Sequence, residues 1–343
     1  MSFVQSATAP RVAVVGLGGT IAMAQGSSGG VIPSLSAEDL VAAVPGLAGL
    51  GVDLDVHSFC SRPGASLTVE DIFELSDTLM RRFTDGAVGA VITQGTDTIE
   101  ETAYLLDLLN AAGSPIVVTG AMRNPTLAGA DGPANLLAAV TVAASPDARG
   151  LGCLVVLADE IHAAARVRKS HTTSPSTFVS SNGGPLGYVV EGHVRLVNRP
   201  AHHYRPATPD RGRPLPRVGL YSATLGDDGS LLPLLASQID GLVIAAFGVG
   251  HVPETWVAHL AEIADRIPVV LASRTGAGFT ATNTYGFAGS ERDLIARGLI
   301  PAGILDPYKA RLLLQVLLAA TDDRASLTAA VAAATGNTGS GAE

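Results

Sequence analysis

The sequence predicts an α/β protein of two domains, with a larger N-terminal doubly wound, mostly parallel sheet and a smaller C-terminal α/β domain. Three observations carry this. Short apolar, β-branched runs alternate with helix-period segments across the first two thirds of the chain, the pattern of βαβ units. Residues 198–217, rich in Pro and Arg and without periodicity, interrupt the pattern and read as a linker. Beyond them the alternation resumes on a smaller scale, and a length of 343 residues suits two domains at roughly 150 residues each. The expected division is 1–197 for the larger domain, 198–217 for the linker, 218–335 for the smaller domain and 336–343 for a flexible tail.

The elements follow in order. Strands are expected at 12–15, 52–59, 87–93, 115–119 and 153–157. Ser36 opens a helix ahead of Val41. Thr68 caps another whose Val69, Ile72, Leu75 and Leu79 share one face, and residues 99–112 and 135–144 supply two more. In the second domain, residues 218–221, 241–246 and 268–272 read as strands separated by helical stretches.

Hydrophobic residues make up 47% of the chain and charged residues 15%. Runs such as 241–250 and 138–144 stop short of the roughly 20 apolar residues of a spanning helix. The apolar surplus is therefore expected in a parallel sheet buried on both faces or in a subunit interface, with no membrane. A net charge of −9, from 22 basic and 31 acidic residues, lacks the basic footprint that nucleic acid or an anionic membrane would require. Residues 1–10 lack the basic start and apolar run of a signal peptide, so a cytoplasmic location is the expectation. Cys60 and Cys153 match no metal or redox spacing and read as buried thiols. The eight histidines form no ligand set, so neither a metal nor a cofactor is implied.

In an open parallel sheet, ligands bind beyond the carboxyl ends of the strands, which directs attention to the loops that follow them. Gly16-Leu-Gly-Gly-Thr-Ile-Ala-Met follows the first strand. It is not a dinucleotide fingerprint, because position 21 is Ile, and it lacks the Lys of a phosphate-binding loop. Thr20 instead follows glycines that let backbone approach a ligand, although a tight turn explains the same residues. Gly95-Thr96-Asp97-Thr98 sets a hydroxyl beside a carboxylate at a strand-to-helix junction. Asp97 as a simple helix cap leaves that pairing unexplained. Arg166-Val-Arg-Lys-Ser-His-Thr-Thr crowds three cations, which by itself reads as a solvated basic face.

Taken together, these segments closely resemble the bacterial-type L-asparaginases of the asparaginase/glutaminase amidohydrolase family. The resemblance runs through Gly-Gly-Thr-Ile-Ala at 18–22, Thr-Gln-Gly-Thr-Asp-Thr-Ile-Glu-Glu-Thr-Ala-Tyr at 93–104 and Gly-Ala-Met-Arg at 120–123. It continues with Ala-Asp-Gly-Pro-Ala-Asn-Leu at 130–136, Lys-Ser-His-Thr-Thr at 169–173, Gly-Pro-Leu-Gly-Tyr at 184–188 and Lys-Ala-Arg-Leu-Leu-Leu-Gln at 309–315. It implies an enzyme that hydrolyses the side-chain amide of L-asparagine, with weak glutaminase activity. Thr20 would be the nucleophile, and Thr96, Asp97 and Lys169 a second constellation. Ser61 would hold the substrate carboxylate, with Ser66 a nearby competitor for that role, and Asp97 would pair with its ammonium group.

A threonine hydroxyl needs a base, and a lysine acts as one only when burial or neighbouring cations favour its neutral form. Arg166 and Arg168 are the candidate neighbours, opposed by Asp97. Which threonine attacks first stays open. The family's usual assembly is a homotetramer, a dimer of dimers in which one subunit completes another's site. A non-catalytic amino-acid sensor on the same fold is the alternative, disfavoured by retention of a base it would not need. A tRNA amidotransferase subunit is disfavoured by the short segment before the first strand, and serine-hydrolase chemistry by the lack of a Gly-x-Ser-x-Gly elbow.

Some positions depart from the family pattern. Residues 25–35 hold no tyrosine beside the nucleophile, and Gln94 stands where many members carry His. Segment 273–283 has no glutamate to lend to a neighbouring subunit, and Gly250-His-Val-Pro replaces an asparagine-bearing turn.

Overall fold

The computed structural model describes residues 9–19, 21, 23–25, 31–33, 36–201 and 203–336, with backbone only for 23–25 and 31–33. The chain divides into two compact units, Met1–Ala201 and His202–Glu343. The boundary falls inside segment 198–217, whose described residues form no helix or strand.

In the first unit, β1 (Arg11–Gly16) is followed by a small hairpin, β2 (Met23–Gln25) and β3 (Val31–Pro33), then α1 (Ala37–Ala42) and β4 (Asp53–Ser58). Next come α2 (Val69–Thr84), β5 (Ala87–Thr93), α3 (Ile99–Leu109), β6 (Ile116–Thr119), α4 (Gly132–Ala144) and β7 (Cys153–Leu157). Ser36 and Thr68 both close capping boxes, each exchanging hydrogen bonds with an Asp three residues on. α3 ends three residues earlier than the periodicity suggests, because Asn110 folds its side chain onto Ala112 N and Ser114 O. α4 begins earlier, at Gly132, with Pro133 in its first turn, where a missing N–H costs nothing.

After β7 the chain turns antiparallel. β8 (Glu160–Ala163) pairs with β7, and β11 (Gly187–Val190) and β12 (His193–Leu196) extend the same edge. The sheet order is β12-β11-β8-β7-β6-β5-β1-β4. Between β8 and β11, β9 (Arg168–Lys169) and β10 (Phe178–Val179) pair only with each other. The antiparallel strands carry little sequence signal. They are two to four residues long, and the β7–β8 turn is made by Ala158 and Asp159 at φ 50° and 61°, where Asn-Gly would be the usual mark.

The five parallel strands β1, β4, β5, β6 and β7 run β4-β1-β5-β6-β7 across the sheet, so the winding reverses between β1 and β5. The near-continuous burial of β1, β5, β6 and β7 follows from cover on both faces, whereas β4, at the sheet edge, is only partly buried. α1, the turn after it and α4 contribute Leu40, Val44, Leu136 and Ala139 to a core with Val12, Val14, Val91, Val117 and Leu154. α2 and α3 pack together on β5, β6 and β7 from the other side.

In the second unit, β13 (Val218–Ser222), α5 (Leu232–Ala236), β14 (Gly241–Ala246), α6 (Val257–Arg266), β15 (Val269–Ser273), α7 (Glu291–Ala296) and β16 (Ile300–Pro301) precede α8 (Pro307–Ala320) and α9 (Arg324–Thr335). The four strands form a parallel sheet in chain order. Glu291, fully buried, accepts from the backbone N–H groups of Thr284 and Tyr285 and lies 3.3 Å from His251 Nε2. Burial opposes its ionisation, yet those donors hold its pKa below the usual value. No helix among the described residues is long and apolar enough to cross a membrane.

Cys153 is buried, which pushes its thiol well up, whereas Cys60 is only half-buried, contrary to the expectation from sequence. Cys60 follows the end of β4, where its Sγ donates to Leu17 O at 3.5 Å.

One buried titratable group stands out on β8. His162 is 1% exposed; its Nδ1 lies 3.0 Å from Ser180 Oγ and its Nε2 lies 3.2 Å from Glu160 Oε2. Burial pushes its pKa from 6.5 down to about 4. Between those pH values the unfolded chain holds a proton that the folded one does not, so stability rises with pH and is lost on acidification. The component is about 3 kcal/mol. In melting curves from pH 7 to 4, His162→Asn is expected to lose less stability than wild type; parallel losses would contradict the assignment.

Candidate functional site

The reversal between β1 and β5 separates the loops that leave their carboxyl ends, which is where α/β sheets of this kind bind ligands. Here four strand-end loops converge, and glycines make it possible. Gly18 and Gly19 sit at φ +94° and +88°, values that L side chains rarely adopt. A Cβ on Gly19 would lie 2.0 Å from Gly95 N, one on Gly64 2.8 Å from Gly95 O, and one on Gly18 2.8 Å from Arg62 N. The loops after β1, β4 and β5 are therefore in backbone contact.

Side chains lock this contact. Gln94, fully buried, donates through Nε2 to Gly95 O and to Thr98 Oγ1, each at 3.2 Å, and Thr98 Oγ1 donates to Gly64 O at 3.0 Å. The position that departs from the family's common His thus has a bracing role in this chain. The β4 loop is stitched to β1 by Phe59 N and Cys60 N donating to Gly16 O and Arg62 N donating to Leu17 O. These bonds bring Ser61 beside the glycine loop, its Cα 3.2 Å from a Cβ built on Gly18. Ser61 and Ser66 are both exposed, Ser66 in a 3₁₀ turn at Gly64–Ser66.

Thr96 and Asp97 occupy a 3₁₀ turn, Thr96–Thr98, that runs directly into α3. Neither turn nor helix has a side-chain cap, so Asp97 is not spent as one. Lys169 Nζ donates to Thr96 Oγ1 at 3.0 Å and to Asp97 Oδ1 at 2.8 Å. Thr96 is 6% exposed, while the Asp97 side chain remains 69% exposed. Gly120, after β6, leaves space for the Thr96 methyl: a Cβ there would lie 3.2 Å from Cγ2. The structure thus brings together Thr96, Asp97 and Lys169 and sets Ser61 on the adjoining loop. Thr20 lies outside the described residues, as does much of the 25–35 segment.

The crowded cations are not a solvated face. Lys169 is mostly buried, Arg168 Nε lies 3.9 Å from Glu100 Oε2, and Glu100 Oε1 accepts from Lys169 N at 3.4 Å. Arg166 packs against the turn at Gly183. Arg168 therefore faces a carboxylate instead of lending Lys169 an unopposed positive field. Glu100 escaped sequence reasoning, but its spacing with Tyr104 and Asp107, all buried, marks a polar stripe on the inner face of α3.

The 130–136 motif braces the β6 exit. Asp131 accepts from Met122 N and Arg123 N, and Asn135 donates to Gly120 O and accepts from Ala158 N. An apolar cavity of about 150 Å³ between α1 and α4, lined by Ile21, Leu40, Val44 and Leu136, contains none of the clustered residues. Among the described residues no three His, Cys, Asp or Glu side chains converge as metal ligands.

Fold and geometry define a two-unit α/β protein with a threonine–lysine–carboxylate cluster at the switch point of a parallel sheet. The N-terminal asparaginase model matches residues 11–202, and the C-terminal glutaminase/asparaginase model matches residues 217–330. The chain is 38% identical over 319 residues to a probable L-asparaginase of Deinococcus radiodurans, covering 91% of this chain and 94% of that one. It is 34% identical over 316 residues to an L-asparaginase of Bacillus licheniformis, covering 90% and 95%. The structure of a probable cytoplasmic L-asparaginase from Campylobacter jejuni superposes with a TM-score of 0.84 at 32% identity, over 94% of this chain and 99% of that one. The chain belongs to the asparaginase/glutaminase family of amidohydrolases.

The glycine contacts yield a paired prediction. Gly19→Ala must drive the β1 and β5 loops apart, and turnover is expected to fall about 100-fold or more. Gly86→Ala, at φ +99° with nothing within 4 Å, should cost about 1–2 kcal/mol of stability and leave turnover near wild type. Equal turnover in the two variants would refute the role given to the Gly19–Gly95 contact.

Proposed function

We propose that the protein hydrolyses the side-chain amide of L-asparagine to L-aspartate and ammonia, with weak glutaminase activity as a side reaction. The observation that carries the reading is Lys169 Nζ bonded to both Thr96 Oγ1 and Asp97 Oδ1 at the sheet's switch point. A proton can pass between that amine and the hydroxyl without either group moving far.

In this reading Thr20, the residue after Gly19 in the chain, is the nucleophile. Its hydroxyl oxygen bonds to the amide carbon, its proton passes to the Thr96–Lys169 pair, and the pair returns a proton to the leaving nitrogen, which departs as ammonia. Water then cleaves the acyl ester, releasing aspartate and restoring the hydroxyl. The N–H groups at the start of the Thr96–Thr98 turn, uncapped by side chains, suit a developing oxyanion. Asp97, largely exposed even while paired, receives the substrate ammonium, and Ser61 the carboxylate.

The apolar surplus suits a homotetramer formed as a dimer of dimers, and a cytoplasmic location is part of the same proposal. Gel filtration with light scattering tests the assembly, which a monomer would contradict.

Purified protein is expected to release ammonia from L-asparagine without added metal or cofactor. Thr20→Ala, Thr96→Ala and Lys169→Ala should each lower kcat by about 100-fold or more. Folded wild type that binds asparagine but releases no ammonia would replace the enzyme with a sensor. Normal turnover in Thr96→Ala would overturn the mechanism.

A further inference from the structure

Lys169 reaches the cluster from an insecure support. It lies on the two-residue strand β9, which pairs only with β10, and no strand of the eight-stranded sheet bonds to either. Two-stranded ribbons are marginal in isolation, and this one has two ladder pairs. A lysine side chain also has four soft torsions, so Nζ can be held only if the backbone beneath it is held.

Arg166 N and Val167 N donate to Ala163 O, which ties the turn ahead of β9 to β8, and three further attachments hold the ribbon beyond that turn. Glu100 on α3 takes Lys169 N and faces Arg168 at the entry. Buried Thr177 ties the 170–177 loop to itself, accepting from Ser170 N, Ser170 Oγ and His171 N. At the exit, Ser180, 7% exposed, meets His162 Nδ1 at 3.0 Å. His162 ties that exit to the central sheet. It stands on β8, which pairs with β7 along its length and with β11 at Glu160 and Ile161, and its Nε2 lies 3.2 Å from Glu160 Oε2 without a hydrogen bond. The Ser180 hydroxyl can donate to a bare Nδ1 or accept from Nδ1–H, so the neutral ring holds it in either tautomer. Burial favours that neutral ring.

We propose that His162 is a positioning residue: through Ser180 it pins the β9–β10 ribbon to the central sheet and so sets Lys169 Nζ against Thr96 and Asp97. The inference rests on the amidohydrolase mechanism proposed above.

The test compares Ser180→Ala, His162→Leu and His162→Asn with wild type. It measures kcat and KM for asparagine and hydrogen exchange across residues 166–180. Ser180→Ala and His162→Leu should lose roughly 10- to 100-fold in kcat, with KM within about twofold, and should exchange faster across the ribbon. His162→Asn, whose amide reaches the place of Nδ1, should recover most of both. Ser180→Ala removes a single oxygen, so it keeps the question answerable if His162→Leu fails to fold. Lowered melting temperature with kcat unchanged, or His162→Asn as impaired as His162→Leu, would overturn the inference. If wild type releases no ammonia the mechanism fails instead, and ribbon exchange unchanged in Ser180→Ala would then overturn the pin itself.

Discussion

Two loops that leave neighbouring strands can serve one site only if their backbones come within van der Waals contact, and side chains normally prevent that. At the point where the winding of this sheet reverses, Gly18, Gly19, Gly64 and Gly95 remove the obstructing Cβ atoms. The loops after β1, β4 and β5 then pack as one body, braced by the Gln94–Thr98–Gly64 chain of hydrogen bonds. Everything assigned to the site depends on this contact. It orients the turn that carries Thr96 and Asp97 and seats Ser61 next to the glycine loop.

The second requirement is a lysine delivered from outside the parallel sheet. Lys169 comes from a ribbon inserted between antiparallel strands, and its Nζ bridges a buried hydroxyl and an exposed carboxylate. The neighbouring positive charges are disposed of locally, Arg168 facing Glu100 and Arg166 lying against the Gly183 turn. Lys169 thus acts in a setting governed by Asp97 and by the geometry of its support. Precision at Nζ becomes a question of backbone anchorage, which gives the buried Glu100, Thr177 and His162 a purpose that composition does not disclose.

The parallel core was readable because its signals are long and local. β5 and β7 begin and end where apolar runs do, and Ser36 and Thr68 announce their helices through capping boxes. The antiparallel edge was not readable, since its strands are short and Ala158-Asp159 is no recognisable hairpin turn. The basic segment 166–173 misled for a related reason: three cations in eight residues look solvated until the carboxylates that face them, seventy residues earlier in the chain, are seen in place.

The sequence by itself determined the two-unit α/β organisation, the caps and the motifs that mark the amidohydrolase family, because each is written within a few residues or in one periodicity. Tertiary structure decided which of those motifs touch. The approach of Gly19 to Gly95, the reach of Lys169 to Asp97 and the hold of His162 on Ser180 join residues far apart in the chain or on separate elements. Such contacts arise from strand order and backbone clearance, and neither quantity exists until the sheet has formed.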